Sequence, residues 1–242
     1  MTDIKVKKGD FIEIKYTGYA NSEIFDSNIE EDLKKINSEA KPEKVVIVIG
    51  EKMVVEGLDK DLENKELNKK YEVKVPYKEG FGPRHRELMR ILPLKSFIEQ
   101  KVMPQPGMMF TLDNNLVKIL AVSGARVTVD FNNPLAGKDL TYKYTIIRIV
   151  KDEKEKAEAL IQYYLKAPIE FEIKENKLIL KGPKMLEVFV QAFKDKFKAL
   201  LNKDLSFEFK ETQKDAKHEH SEHEHSHDHS HEHHEHHHEA RE

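Results

Sequence analysis

The chain has 242 residues, 35% of them charged, a formal net charge of −3, and neither cysteine nor tryptophan. Without cysteine there is no disulfide, no thiolate nucleophile and no Cys-ligated metal. No apolar run approaches the roughly 20 residues of a membrane span. The start, Met1-Thr2-Asp3-Ile4-Lys5, lacks the apolar stretch of a signal peptide, so the expected location is the cytoplasm. The length allows one to three domains. From Gln213 onward three Lys/Arg face nine Asp/Glu, which leaves the preceding residues net positive by three. Mixed signs of that size are ordinary on a surface and do not point to nucleic acid.

Taken in order, Phe11-Ile12-Glu13-Ile14-Lys15-Tyr16 alternates, with Ile12, Ile14 and Tyr16 on one face of a strand. Gly18 then allows a turn. Phe25-Asp26 sets an apolar ring beside a carboxylate, which is costly to desolvate without a partner. Either Asp26 caps a turn or it lines a pocket. Residues 44–50, rich in Val and Ile, read as a buried strand closed by Gly50. Val54, Val55, Leu58 and Leu62 recur at helical spacing and predict a short helix with Gly57 inside it, where close packing would explain a glycine. Tyr71, Val73 and Val75 alternate in a strand that stops at Pro76. Gly80-Phe81-Gly82-Pro83 is a loop whose Phe81 either packs inward or joins a site.

Between residues 85 and 137 the prolines at 93, 104 and 106 cut the chain into short pieces. Strands are expected at 108–112, 116–122 and 126–131, forming a small β module. Met89, Ile91, Leu92, Phe97, Met103, Met108, Met109 and Phe110 crowd around its Pro-rich bend. Methionine suits a surface that accepts many partners, and the same residues would equally serve as the module's own core. Leu140, Tyr142, Tyr144 and Ile146 alternate in a long central strand. From Lys151 the order α-β-β-α-β reads as a small α+β domain, whose last helix carries the stripe Leu186, Phe189, Val190, Phe193, Phe197, Leu200 and Leu201. That stripe covers either its own sheet or a second subunit. Beyond Gln213 the sequence has no apolar stretch to bury and holds twelve of the thirteen His.

Five blocks in order carry a resemblance: Tyr16-Thr17-Gly18; Ile24-Phe25-Asp26-Ser27-Asn28; Ile49-Gly50 to Val54-Val55-Glu56-Gly57-Leu58; Gly80-Phe81-Gly82; and Val129-Asp130-Phe131-Asn132-Asn133-Pro134-Leu135-Ala136-Gly137-Lys138-Asp139-Leu140. With them the chain resembles the FKBP-type peptidyl-prolyl cis-trans isomerases, in particular the long archaeal and SlyD-type members with an inserted chaperone flap and a His-rich tail. The resemblance covers about residues 5–150. It implies an α+β fold in which residues 1–84 and 138–151 make an FKBP-like antiparallel sheet around a short helix. It further implies a flap at 85–137 and the extra C-terminal domain, here α-β-β-α-β, at 152–212; that small domain's dense apolar set leads us to expect a homodimer, and the tail at 213–242, with no apolar stretch to bury, is expected to be disordered.

The implied prolyl pocket is Tyr16, Phe25, Asp26, Val54, Val55, Leu58, Phe81 and Tyr142. Two positions depart from the family: Leu58 where many members have Trp, and Phe81 where Tyr is usual. The second removes a hydroxyl donor and puts tight binding of the family's macrolide inhibitors in doubt. The implied function is isomerisation of X-Pro bonds in unfolded, nascent or partly folded polypeptides, with chaperone activity from the flap and no cofactor required. No membrane or nucleic-acid partner is expected. The competing reading is a non-catalytic holdase or metal-handling protein on the same scaffold. In the tail, His218, His220, His223, His225, His227, His229, His231, His233, His234, His236, His237 and His238 form an array suited to Ni, Zn or Cu, with Cu favoured by raw affinity.

Overall fold

The computed structural model describes residues 4–112 and 115–210, in two compact units, one up to Pro168 and one from Ile169. The His-rich array and the end of the chain from residue 211 lie outside the described residues.

The first unit opens with β1 (Phe11–Ala20) and β2 (Glu23–Ser27), a hairpin whose two turn residues, Asn21 and Ser22, both take positive φ, 51° and 67°. That is the backbone of the primed two-residue hairpin, whose twist matches the strands it joins. The turn therefore sits at 21–22. Gly18, expected to allow it, lies inside β1. There α1 (Glu30–Ile36) follows, with acidic residues in its first turn and lysines in its last, the order the helix dipole favours. Next come β3 (Val45–Val48), α2 (Glu56–Leu62) and β4 (Lys70–Val75). The predicted helix is thus shorter at its start. Val55 has ψ 144° and caps α2, so Val54 and Val55 belong to the loop before it. Inside α2, a Cβ on Gly57 would come within 2.7 Å of Val75 Cγ1, so the glycine lets the helix lie directly on β4.

The chain then builds the insert: β5 (Met89–Pro93), α3 (Leu94–Glu99), β6 (Met109–Leu112), β7 (Asn115–Ser123) and β8 (Arg126–Asp130). Its sheet has the order β5-β8-β7-β6. β5 escapes the sequence reading because it ends on Pro93. As an edge strand it tolerates the proline. The core holds Phe97, Val117, Ile119, Val127 and Val129, with Leu92 and Phe110 packed against it. Ile91, Met103, Met108 and Met109 are exposed instead, Met103 at 74%. The apolar set around the bend therefore divides, part core and part surface.

β9 (Leu140–Ile149) returns to the first sheet and runs antiparallel between β1 and β4, giving β2-β1-β9-β4 with β3 on β1. One core joins Ile12, Ile14, Leu58, Leu62, Leu140, Tyr142, Tyr144 and Ile146. α4 (Glu153–Leu165) follows, its N-terminus capped by Asp152, which accepts from the Glu155 N–H at 2.8 Å. The sequence reading starts the C-terminal domain at 152, whereas α4 packs on β3 in the first unit. Glu155 explains the attachment, since it pairs with both Lys44 and Arg148. Burial raises its carboxyl, but the two cations outweigh that and hold it below the usual range. Tyr163 adds a hydrogen bond to the Lys52 carbonyl at 3.0 Å.

The second unit contains β10 (Glu170–Lys174), β11 (Lys177–Gly182), α5 (Met185–Leu201) and β12 (Asp204–Phe209). The sheet order is β10-β11-β12, with β11 and β12 parallel and joined through α5. α5 packs on β12 and buries Leu186 and Phe197, so part of the Phe-rich stripe covers its own sheet. Met185 and Val188 are exposed. No helix among the described residues is long and apolar enough to cross a membrane.

Candidate active site

The site forms where β2 meets the central strands. The pairing of β1 with β2 slips between Tyr19↔Ile24 and Gly18↔Asp26, leaving Phe25 as the extra residue of a bulge. Consecutive side chains of a regular strand point to opposite faces. The bulge breaks that rule and re-aims one of them. As a result Phe25 reaches Tyr142 of β9, edge to face with ring centres 5.8 Å apart, while Asp26 accepts a hydrogen bond of 2.7 Å from the Tyr16 hydroxyl. Tyr16 and Tyr142 stand 6.3 Å apart, and Phe81 meets Phe25 edge to face at 6.2 Å. Four rings and one carboxylate are thus gathered together, with Tyr142 itself buried at 5% exposure.

Gly18 makes this packing possible. A Cβ there would lie 2.7 Å from Phe25 Cζ and 3.0 Å from Tyr142 Cε1. The bulged strand is held by its own polar residues. Asn28 accepts from Tyr16 N–H at 2.8 Å and donates to the Ile14 carbonyl at 2.8 Å. Thr17 donates to Asp32 at 2.8 Å and lies 3.0 Å from the Ser27 hydroxyl. The Asn28 bonds serve β1 backbone groups between the last pair with β2, Thr17↔Ser27, and the first with β3, Ile14↔Val45.

Asp26 is exposed, and Phe81 is 37% exposed. Val54 and Val55 pack at the edge of the core that also holds Tyr16, Phe25 and Tyr142. Leu58 is only 1% exposed, so it supports the floor from beneath and offers a ligand almost no surface. Buried Asp59 accepts from the N–H groups of Gly50, at 2.9 Å, and Lys52, at 3.0 Å, pinning the loop that leads to Val54 and Val55. The sequence reading missed Asn28, Asp59 and the packing role of Gly18. Asn28 and Gly18 lie within the quoted blocks and Asp59 directly follows one, which was their only signal.

Burial, followed by the hydrogen bond to Asp26, pushes the Tyr16 hydroxyl well above its ordinary value. Burial and then the Asp26 charge do the same for Tyr142. Both phenols therefore stay neutral, and Tyr16 remains a donor. Among the described residues there is no group of three or more His, Asp or Glu arranged to hold a metal. The surface can bind an apolar ring against aromatic walls and set a fixed negative charge at its rim. It offers no nucleophile next to a base.

Residues 2–98 match the FKBP-type peptidyl-prolyl cis-trans isomerase family, and residues 90–135 match the FKBP26 IF domain. The chain is 28% identical to the short-type peptidyl-prolyl cis-trans isomerase of Methanocaldococcus jannaschii, over 62% of this chain and 98% of that protein. It is 32% identical to the FKBP-type isomerase SlyD of Haemophilus influenzae, over 40% of this chain and 53% of that protein. To SlyD of Helicobacter pylori it is 25% identical, over 62% of this chain and 77% of that one. With a sheet closed by β9, an insert between β4 and β9, and aromatic side chains gathered at the bulge, the chain is similar over residues 2–135 to the FKBP-type peptidyl-prolyl cis-trans isomerases and their IF-type insert.

Proposed function

We propose that this protein catalyses cis-trans isomerisation of X-Pro bonds in unfolded or partly folded polypeptides, with the insert holding the client. The observation that carries the reading is the ring cluster Tyr16, Phe25, Phe81 and Tyr142 with Asp26 at its rim. Rotation about X-Pro faces a barrier of about 18–20 kcal/mol set by amide resonance. Uncatalysed exchange takes tens to hundreds of seconds. Twisting the bond uncouples the nitrogen lone pair from the carbonyl and lessens charge separation. Water favours the planar, charge-separated form, so moving the amide onto apolar walls lowers the cost of the twist. The rings hold the proline side of the bond. Asp26, oriented by the Tyr16 hydroxyl, supplies a fixed field beside the rotating carbonyl.

The insert adds a second surface. Exposed Ile91, Met103 and Met109 present flexible apolar contact, the property that lets one surface accept many sequences. A chain held there meets the prolyl site at raised effective concentration. In a protease-coupled assay the protein should accelerate isomerisation of a short proline peptide, and Asp26→Ala or Tyr142→Ala should reduce kcat/KM by about tenfold, the scale of one lost contact, with the circular dichroism unchanged. Wild-type turnover at the buffer rate, or full turnover in both variants, would refute the reading.

The cellular setting proposed is the cytoplasm, in keeping with a folding helper. The His array suits storage of Ni²⁺, Zn²⁺ or Cu²⁺, because neutral imidazoles are good ligands for all three. Ligands must be deprotonated, so binding should fade as pH falls through about 6.5. Calorimetry with Ni²⁺ should find several ions per full-length chain near neutral pH and none on a chain ending at residue 212. Retained stoichiometry in the shorter chain would count against the tail. A homodimer through residues 152–212 has exposed Met185 and Val188 of α5 in its favour. Light scattering of the full chain decides it, and a monomer mass ends it.

A further inference from the structure

The insert leaves the isomerase sheet and returns to it through two segments, residues 77–85 and 130–139. These are tied together at four successive points. Tyr77 N–H donates to the Asp139 carboxylate at 2.8 Å, and Gly137 N–H donates to the Gly82 carbonyl at 2.8 Å. Arg84 pairs with Asp130. Asn132 grips the backbone of His85 from both sides, accepting from its N–H at 2.8 Å and donating to its carbonyl at 2.9 Å. Asp130 in turn accepts from Asn132 N–H at 3.0 Å, and both residues are buried, at 6% and 5% exposure.

Phe81 sits in the middle of the outgoing segment, two residues past a single 3-10 turn at Tyr77–Glu79. Its neighbours Gly80 and Gly82 both donate to the Tyr77 carbonyl, at 3.2 and 2.8 Å, which closes the near side of the loop, and Gly82 has φ 76°. The returning segment then adds ties on the far side of Phe81, at the Gly82 carbonyl, Arg84 and His85. We propose that Arg84, Asp130 and Asn132 are positioning residues for the prolyl site, holding the Phe81 loop so that its ring stays edge to face with Phe25. This rests on the isomerase reading of the ring cluster. Burial raises the Asp130 carboxyl, yet the Asn132 hydrogen bonds and the Arg84 charge outweigh it and keep Asp130 below the ordinary carboxylate range. The anion needed for the clasp is therefore present throughout neutral pH. The clasp makes the flap's attachment and the pocket wall a single mechanical element, so a pull on the flap by a bound client reaches Phe81.

The test is a double-mutant cycle on the full-length protein, with Asn132→Ala and Phe81→Ala, read by kcat and KM on a short proline peptide. Asn132→Ala should lower kcat/KM about fivefold, the scale of one aromatic pair contact. In the Phe81→Ala background the same change should cost nothing further, because the ring it positions is gone. Additive losses would overturn the proposal, since a merely structural role does not depend on Phe81. If Asn132→Ala does not fold, Arg84→Ala, whose side chain is half exposed, takes its place in the cycle, with Arg84→Lys expected to restore part of the activity. An activity-independent reading comes from 4-fluorophenylalanine placed at 81 alone. Its fluorine resonance should shift and broaden in Asn132→Ala or Arg84→Ala, and an unchanged resonance would also overturn the proposal. A wild-type protein with no isomerase activity would instead refute the isomerase reading and leave the fluorine result to judge the clasp.

Discussion

The proposed prolyl site and the insert both gather apolar side chains, but only the site has polar contacts that lock them. At the site, Phe25 touches two other rings, Gly18 admits them, and Asn28, Asp59 and the Tyr16–Asp26 pair hold the backbone and rim in place. On the insert, Met103, Met109 and Ile91 lie outside a small core around Phe97 and Val117. A twisted amide demands one geometry, and preorganised walls meet that demand. Unfolded clients share no geometry, and unbranched, polarisable methionines adapt to each. On the proposed function, the same apolar composition serves two tasks according to how many polar contacts hold it.

The comparison is tested most strongly by removing the insert. Met89 and Asp130 are register partners, and Phe131 N–H donates to the Leu88 carbonyl at 2.9 Å, so a short hairpin turn can join Met89 to Asp130. Excising residues 90–129 in this way should leave tetrapeptide turnover near wild type. Catalysed refolding of a proline-limited protein should fall by about two orders of magnitude, the usual reach of effective concentration. Equal losses on both substrates would break the division of labour. Excising 86–136 instead removes Asp130 and Asn132, and peptide turnover should then fall as well.

A smaller effect separates core from surface inside the insert. Phe97→Ala should destabilise by about 3–5 kcal/mol in denaturant unfolding. Met103→Ser and Met109→Ser together should change stability by about 0.5 kcal/mol each at most, yet weaken suppression of aggregation of an unfolded client several-fold. Intact suppression in that double variant would assign client binding elsewhere.

The smallest expected effect is an absence of change. Tyr16 is raised by burial and by its bond to Asp26, so its neutral, donating form persists above the ordinary tyrosine value of about 10. Since its folded value lies above the unfolded one, the stabilisation it adds is present at neutral pH and is lost only as pH rises through the folded value. Peptide kcat/KM should therefore stay level from pH 7 to about 10. A decline centred near pH 9 would show that burial and Asp26 do not hold Tyr16 neutral in the working enzyme.

Much of this was legible in the residues. Alternation at Ile12-Ile14-Tyr16 and Leu140-Tyr142-Tyr144 marked two central strands, because a half-buried strand repeats every second residue whatever it packs against. The quoted blocks identified the family and six side chains that the site brings to one surface or its edge. Other features depended on contacts between distant segments. Gly18 read as a turn residue, and only the approach of Phe25 and Tyr142 shows that it makes room for rings. Val54 and Val55 kept helical spacing while lying in a loop, since Asp59 captures the backbone before them. α4 read as part of the last domain until Glu155 met Lys44 and Arg148. The bulge at Phe25 and the clasp at Asp130 and Asn132 carry no periodic signature at all. Periodicity tells which face of an element is apolar. What that face meets, and which polar groups close the gap between segments some fifty residues apart, is decided only when the chain has folded.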